Sequence, residues 1–156
     1  MNQGEDFDIM PGHLIRRAHQ ISVAIFMEEC ADYSVTPVQY ACLAEIARKP
    51  GVDATRLAGA VAFDRSTLGN VLERLETKGW VDRRPSPEDR RVKLLHTTEA
   101  GRQLLSAIAP GVRATQNRLL EPLAAADRAV FMRLIGQIVE GNNEVSRAPM
   151  ERTDAD

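Results

Sequence analysis

Apolar residues recur at helical spacing along most of the chain, and this pattern predicts a mainly helical fold. A first helix is expected from Ile9 to about Glu29. One face of this helix carries the residues Leu14, Ala18, Ile21 and Ile25. That face is too wide for a small domain to cover alone, so we expect the helix to pack against something large, such as a second chain.

Residues that cap helices divide the middle of the chain into shorter segments. Thr36, which a proline follows, is typical of a helix start. Asp53 can cap a short helix over residues 54–61. Asp64 can likewise cap a helix over residues 65–78, which a glycine then terminates. Two short helices separated by a tight turn predict a helix-turn-helix.

The segment after this pair of helices changes character and is predicted to be extended. Trp80 and Val81 begin it, two prolines interrupt it, and residues 92–96 resume it. Because proline cannot donate to a strand ladder, the pattern predicts a β-hairpin with a long tip, which we call the wing. From Arg83 to Lys93, five basic residues outnumber two acidic ones.

Two long helices complete the predicted fold. Thr98 can cap a helix over residues 99–120, which Pro110 and Gly111 should bend, and a last helix is expected over residues 126–142. The fold class is therefore mainly α with a small β-hairpin wing, a winged helix-turn-helix between long N- and C-terminal helices. The predicted divisions are an N-terminal helix (1–35), a winged helix-turn-helix lobe (36–97), C-terminal helices (98–143) and a flexible tail (144–156).

Composition narrows the class of protein more than its function. The 156 residues are 44% apolar and 27% charged, as in a soluble folded domain, and only 4% are aromatic, which favours a helical core of aliphatic side chains. A net charge of −2 neither requires nor excludes nucleic acid, because a local basic patch suffices. No long apolar run indicates a membrane span, and the acidic start is unlike a signal peptide, so we expect a cytoplasmic protein.

The helix over residues 65–78 and the wing carry the side chains expected to contact DNA. Arginine and asparagine pair with base edges, whereas a basic hairpin can follow the backbone or enter a narrow minor groove. A charged hairpin alone is more often a solvated surface, but its position after a helix-turn-helix favours DNA binding. Asp89 can also hold one neighbouring arginine and so preorganise the other. The candidate DNA-binding residues are Arg65, Ser66, Thr67, Asn70, Arg74, Arg84, Asp89, Arg90 and Arg91.

The stretch FDRSTLGNVLERLETKGWVDRRPSPEDRRVKLLHTTEAGRQLL resembles the MarR family of winged helix-turn-helix transcription regulators. The matching features are a D-R-S-T helix start, an L-E-x-x-G-W-V-x-R helix end, a D-x-R wing and a T-E-x-G helix start. The similarity continues upstream through HLIRRAHQ and TPVQYACLAEIARKPGVDATRLAGAV, and covers roughly residues 10–140. Thr97 stands where the family usually has an apolar residue, which should loosen the end of the second strand.

The resemblance implies an obligate homodimer on double-stranded operator DNA. The first helix and the last two would form the dimerisation region, so that two wings and two recognition helices address a pseudo-palindromic operator. Such a dimer is usually a repressor. By the family pattern, Asp89 and Arg91 form the D-x-R pair of the wing, with Arg91 reaching the minor groove.

The resemblance also implies a small aromatic acid as effector, bound between the dimerisation region and the DNA-binding lobe. A carboxylate needs a cation and donors beside an apolar wall, and the candidate ligand-binding residues are Arg16, His19, Ser22 and Tyr40. The alternative is that His19 and Ser22 are polar residues of the dimer interface and that Arg16 pairs with an acid. The start PGHLIRRAHQ is similar to regulators of aromatic-acid catabolism, including nicotinate degradation.

Oxidation sensing through cysteine is an alternative within the same fold. Cys42 lies on an inward-facing part of the second helix, which favours a structural role. Cys30 ends the first helix and could be exposed, but the acidic residues around it would raise the pKa of its thiol.

Other classes of protein find less support in the sequence. The three histidines and two cysteines show no zinc-site spacing, so neither a metal nor another cofactor is expected. Phosphate-binding and hydrolase motifs are missing, so we expect no catalytic residues and no enzyme. A helical interaction module that uses the winged fold without DNA remains a further alternative.

Overall fold

The computed structural model describes residues 6–151 and has the predicted order of the six helices and the wing. The helices are α1 (Pro11–Glu29), α2 (Pro37–Arg48), α3 (Ala54–Val61), α4 (Arg65–Thr77), α5 (Glu99–Leu120) and α6 (Ala125–Gly141). The strands are β1 (Val52–Asp53), β2 (Val81–Pro85) and β3 (Lys93–Thr97). Short 3-10 turns lie at Phe7–Ile9, Ala31–Tyr33 and Asn143–Val145. The predicted winged helix-turn-helix with long terminal helices is confirmed.

The predicted caps begin the helices as expected. The Thr36 hydroxyl accepts from the backbone N–H of Gln39 at 3.2 Å, and the Gln39 side chain accepts from the N–H of Thr36 at 3.3 Å. Asp53 caps α3 and Thr98 caps α5 in the same way, through single acceptor oxygens. Local hydrogen bonds therefore fix these helix starts independently of distant packing.

The sheet has three antiparallel strands in the order β1-β3-β2, so the prediction of a two-stranded hairpin was incomplete. Val52 pairs with Leu95, which adds β1 to the outer side of β3. At the other end of β3, Thr97 pairs with Val81 and is buried, so it does not loosen the strand as predicted. The wing comprises β2, β3 and the connecting turn, and its base is anchored in the lobe.

Two apolar clusters form the interior. The larger lies beneath the helix-turn-helix, where Leu57 of α3 packs with Leu68 and Leu75 of α4, as predicted. The smaller joins α1 to α5 through Phe26, Ile108 and Cys30. Cys30 is only 2% exposed, so its suggested exposure was wrong: the middle of α5 packs directly against it.

The outer faces of α1 and α6 leave much apolar surface uncovered. Leu14 and Ile21 of α1 are about half exposed, and α6 contains no buried residue. The wide apolar face predicted for the first helix is therefore still open in the single chain. None of the helices that the structure describes combines the length and apolarity of a membrane span.

The chain after α6 returns to the helix-turn-helix. The backbone N–H of Glu151 donates to the carbonyl of Gly59 in α3 at 2.9 Å. We call residues 143–151 the C-terminal loop. Residues 144–151 of this loop belong to the predicted flexible tail (144–156), whose last five residues lie outside the described part of the chain, and the loop lies hydrogen-bonded against α3.

Candidate nucleic-acid interface

A single aspartate fixes the N-terminus of α4, the predicted recognition helix. The Asp64 carboxylate accepts from the backbone N–H of Thr67 at 2.9 Å and from the Thr67 hydroxyl at 2.8 Å. These bonds favour the ionised carboxylate and lower the pKa of Asp64, so the cap stays charged at neutral pH. The hydroxyl of Thr67, which we predicted to contact DNA, already donates to the cap.

The exposed face of α4 presents the other predicted residues to solvent. Arg65, Ser66, Asn70 and Arg74 are all exposed, at the first residues and at one-turn spacing along the helix. The side chains of Arg65, Asn70 and Arg74 make no hydrogen bond or ion pair within residues 6–151, so their donors are available. A shallow groove on this face is lined by Asn70, Glu73, Arg74, Thr77 and Lys78.

The tip of the wing is organised around Asp89. Its carboxylate accepts from Nε of Arg91 at 3.1 Å and from Nη2 at 2.9 Å, and it also accepts from the Arg91 backbone N–H at 3.0 Å. The donated bonds lower the pKa of Asp89, and the carboxylate in turn raises the pKa of Arg91. Arg90 is exposed with no side-chain partner in the described part of the chain. The predicted hold on one arginine is present, and Arg91 is the one held; the preorganised arginine is therefore Arg91 itself and not, as predicted, its neighbour.

Two further arginines lie on strand β2 of the wing. Arg84, a predicted DNA contact, is exposed and donates both Nε and Nη2 to Asp82, at 3.1 and 3.0 Å. Arg83, which was not among the predicted site residues, pairs with Glu76 of α4 at 2.7 Å. That ion pair joins the wing to the recognition helix. The sequence contained Arg83 in its basic run but not the pairing, because the partners belong to different elements.

The start of α5 is tied to the end of the recognition helix. The Thr98 hydroxyl donates to the carbonyl of Gly79, and the Thr98 backbone N–H donates to the carbonyl of Trp80 at 3.0 Å. Gly101 permits this close approach, because a Cβ there would lie 2.3 Å from the Trp80 carbonyl oxygen. The T-E-x-G motif therefore sets how α4, the wing and α5 meet.

The predicted effector residues lie along α1 and α2. Arg16 contacts His13 at 3.3 Å and donates to Gln20 at 3.2 Å, on an exposed face. It lines an open cavity with Asp8, His13, Leu14, Arg17, Ala18 and Ile21. His19 is exposed and Ser22 is half-buried, and neither lines that cavity.

Tyr40, the fourth predicted effector residue, lies on α2 beside the C-terminal end of α1. Its ring lies 5.9 Å from the ring of Phe26 and packs on the smaller apolar cluster. Ten residues separate Arg16 from Phe26, which is about 15 Å along a helix. Within one chain, Arg16 and Tyr40 therefore lie toward opposite ends of α1. The structure of the single chain does not bring the four residues together, so their shared role in effector binding stays a prediction.

The two thiols are enclosed. Burial raises the pKa of the Cys42 thiol to about 12. Burial, with the nearby Glu29 carboxylate, also raises the pKa of the Cys30 thiol. A protonated, enclosed thiol is a poor nucleophile toward oxidants, so neither residue has the environment of a redox sensor. Within residues 6–151 there is also no group of three or more side chains suited to a metal ion.

Comparison with known proteins identifies the family. The sequence model of the MarR family matches residues 35–93, which span the lobe from the start of α2 to the start of β3. The repressor NicR of Pseudomonas putida is 30% identical over 131 residues, which are 84% of this chain and 83% of NicR. The chain belongs to the MarR family.

Solved structures of other regulators share the fold. BpsR of Bordetella bronchiseptica, whose DNA binding is regulated by 6-hydroxynicotinic acid, has a TM-score of 0.80 and 28% identity, over 85% of this chain and 95% of BpsR. The repressor CouR, bound to a 23-mer DNA duplex, has a TM-score of 0.81 and 26% identity, over 89% of this chain and 99% of CouR.

Membership in the MarR family decides the class of the protein. It is a winged helix-turn-helix transcription regulator and not an enzyme, as the sequence indicated. The interface built by α4 and the wing is accordingly the candidate surface for DNA.

Proposed function

We propose that the protein is a homodimeric repressor that binds a pseudo-palindromic operator and that a small aromatic carboxylate releases. The observation that carries the proposal is the exposed basic surface formed by α4 and the wing. Its arginines are either unpartnered within residues 6–151 or already held in place, and the Arg83–Glu76 pair and the start of α5 join its two parts. Such a surface can meet two grooves of a duplex without rearranging.

In this proposal, the residues divide by what they contact. Arg65, Ser66 and Asn70 read base edges in the major groove from the first turns of α4, and Arg74 binds a phosphate. Thr67 supports them through Asp64 and can still accept a hydrogen bond. Arg84, Arg90 and Arg91 follow the backbone or enter the minor groove at the wing, where Asp89 orients Arg91.

The dimer would be formed by the open apolar faces of α1 and α6. A soluble monomer rarely exposes contiguous apolar patches of that kind, and covering them removes apolar area from water. Exposed Val130, Leu134 and Ile138 repeat at i, i+4 and i+8 on α6, which is the spacing of a helix face that packs on another helix. Two copies joined in this way present two recognition helices with two-fold symmetry.

An aromatic carboxylate is the proposed effector. BpsR responds to 6-hydroxynicotinic acid, and α1 of this chain offers the Arg16 guanidinium and His19 beside apolar surface. We propose Arg16, His19, Ser22 and Tyr40 as the effector-binding residues. A 100-fold preference of the ligand for the released form corresponds to about 2.7 kcal/mol of coupling.

The direct test measures DNA binding by the full chain. A duplex selected by the protein from a random library is labelled, and its anisotropy is titrated at several salt concentrations, with a scrambled duplex as control. We expect a dimer on the selected duplex, with affinity that falls steeply as salt rises and falls further with 6-hydroxynicotinate, nicotinate or benzoate. Equal, weak binding to both duplexes would contradict sequence-specific regulation.

The effector set is tested by Arg16→Ala. The variant should bind the selected duplex as the wild type does, but should need at least about tenfold more of the active acid for release, because a carboxylate loses its cation. Arg113→Ala, which removes an exposed arginine from α5, is the matched control. Release of Arg16→Ala at the wild-type ligand concentration would show that the acid binds elsewhere.

A further inference from the structure

Hydrogen bonds within the C-terminal loop fix its shape, in addition to its contact with the helix-turn-helix. Nδ2 of Asn143 donates to the carbonyl of Met150 at 3.1 Å, and the backbone N–H of Met150 donates to Oδ1 of Asn143 at 2.8 Å. These two bonds close residues 143–150 into a ring at the end of α6. The next residue, Glu151, then makes the backbone bond to Gly59 of α3.

Gly59 fits the loop because it has no side chain. A Cβ at this position would lie 2.9 Å from Oε2 of Glu151 and 3.1 Å from its Cβ. The carboxylate could swing aside, but the Cβ is fixed to the backbone, so an alanine at position 59 would push the loop off α3. The position of the loop is therefore matched to this stretch of α3.

The docked loop places a guanidinium beside the start of the recognition helix. Nη2 of Arg147 lies 3.5 Å from Oδ2 of Asp64, and the Arg147 side chain is 90% exposed. Asp64 immediately precedes Arg65, the first residue of α4. Its carboxylate would repel a phosphate at this edge, whereas Arg147 offsets that charge and still presents donors to solvent.

We propose that Arg147 is a further DNA-contacting residue, which the C-terminal loop delivers to a phosphate beside the start of the recognition helix. The proposal rests on the proposed function, since it requires α4 to lie in the major groove. A guanidinium has donors on more than one edge, so Arg147 can keep its ion pair with Asp64 and bind a phosphate oxygen at the same time. The two-fold symmetry of the dimer would place one such arginine at each half-site.

Matched variants of the full-length protein test this role. Arg147→Gln removes the charge and Arg147→Lys keeps it. A chain that ends after Ser146 omits the docked residues, whereas a chain that ends after Glu151 keeps them. Binding to the selected duplex is measured by anisotropy over a range of salt concentrations, and thermal melting checks that each variant is folded.

We expect the slope of log affinity against log salt to become shallower in Arg147→Gln and in the chain ending at Ser146. The expected change is about 0.9 for each phosphate that the protein no longer neutralises, or about 1.8 for the dimer. Arg147→Lys and the chain ending at Glu151 should keep the wild-type slope. Gly59→Ala should also give a shallower slope with Arg147 still present, because its Cβ displaces the loop.

Two results would overturn the role of Arg147 while leaving the proposed function intact. They are an unchanged slope in Arg147→Gln and tighter DNA binding by the chain ending at Ser146. The second would mean that the loop covers the DNA surface instead of extending it. Salt-independent binding by the wild type would contradict the proposed function itself, so the two failures are distinguishable.

Discussion

At the scale of single residues, the arginines of the wing differ in what already holds them. Arg91 is bound by Asp89 and Arg84 by Asp82, whereas Arg90 has no side-chain partner within residues 6–151. A side chain that is already held loses less freedom when it meets DNA, so its contact contributes more to affinity. The held arginines, Arg84 and Arg91, should therefore contribute more to DNA affinity than their exposure alone suggests.

Arg91→Ala tests this at the wing. We expect operator affinity to fall about tenfold or more, because a preorganised cation leaves the groove and the Asp89 carboxylate is left to repel the backbone. Arg48→Ala is the matched control. Like Arg91, Arg48 is an exposed arginine held by a nearby carboxylate, but it lies on α2, away from the wing. Anisotropy titrations measure both. Equal affinity of wild type and Arg91→Ala, with melting unchanged, would remove Arg91 from the interface.

Local spacing was enough to predict the pairing of Asp89 with an arginine, because partners two residues apart in a turn must lie close together. It could not reveal the pairing of Arg83 with Glu76, which depends on how β2 meets α4. Helical spacing also grouped Arg16 with His19 but could not show how far Tyr40 lies from Arg16, since that distance is set by packing between two helices.

At the scale of elements, a close backbone approach joins the recognition helix to α5. Thr98 bonds to the last residues before β2, and Gly101 lies against the carbonyl of Trp80. The predicted helix bounds were accurate because capping bonds are local. Strand β1 was missed because its two residues are too few for an alternating pattern, and only the long-range pairing of Val52 with Leu95 creates it.

Gly101→Ala should destabilise the fold by about 1–3 kcal/mol or more, because the new Cβ would lie 2.3 Å from a backbone oxygen that cannot move alone. Gly69→Ala is the matched control: Gly69 lies within α4 with no atom in contact range of an added Cβ, so the change should be neutral or stabilise by up to about 1 kcal/mol. Urea unfolding measures both. Equal midpoints for the two variants would contradict the close approach.

At the scale of the whole molecule, the chain combines a well-packed lobe with helices whose apolar faces are exposed to solvent. The lobe has a complete interior, whereas α6 buries no residue of its own. The sequence predicted this from the wide apolar face of the first helix, because an amphipathic pattern records how much surface must be covered. It could not show where the C-terminal loop would lie, since a short polar segment carries no such pattern.

Leu134→Asp tests the proposed dimer. Leu134 of α6 is 46% exposed, and a charge there should not be tolerated if a second chain covers it. We expect sedimentation at micromolar concentration to give twice the 17.3 kDa chain mass for the wild type, and a large loss of dimer for the variant. Leu134→Met, which keeps an apolar side chain of similar volume, should remain dimeric. A monomeric wild type would refute the dimer outright.

The continuity of α5 has a mechanical consequence. This single helix of 22 residues begins at the joint with Trp80, continues through Pro110, where we predicted a bend, and ends just before α6, so that its residues rise about 33 Å along the helix axis. If α5 pivots about its C-terminal end, it acts as a lever. A tilt of only about 5° would then move the joint with Trp80 by about 3 Å, which is close to the rise of one base pair. In the proposed dimer, an effector bound near that end of α5 would therefore need to shift atoms very little to change the spacing of the two recognition helices relative to the turns of the double helix.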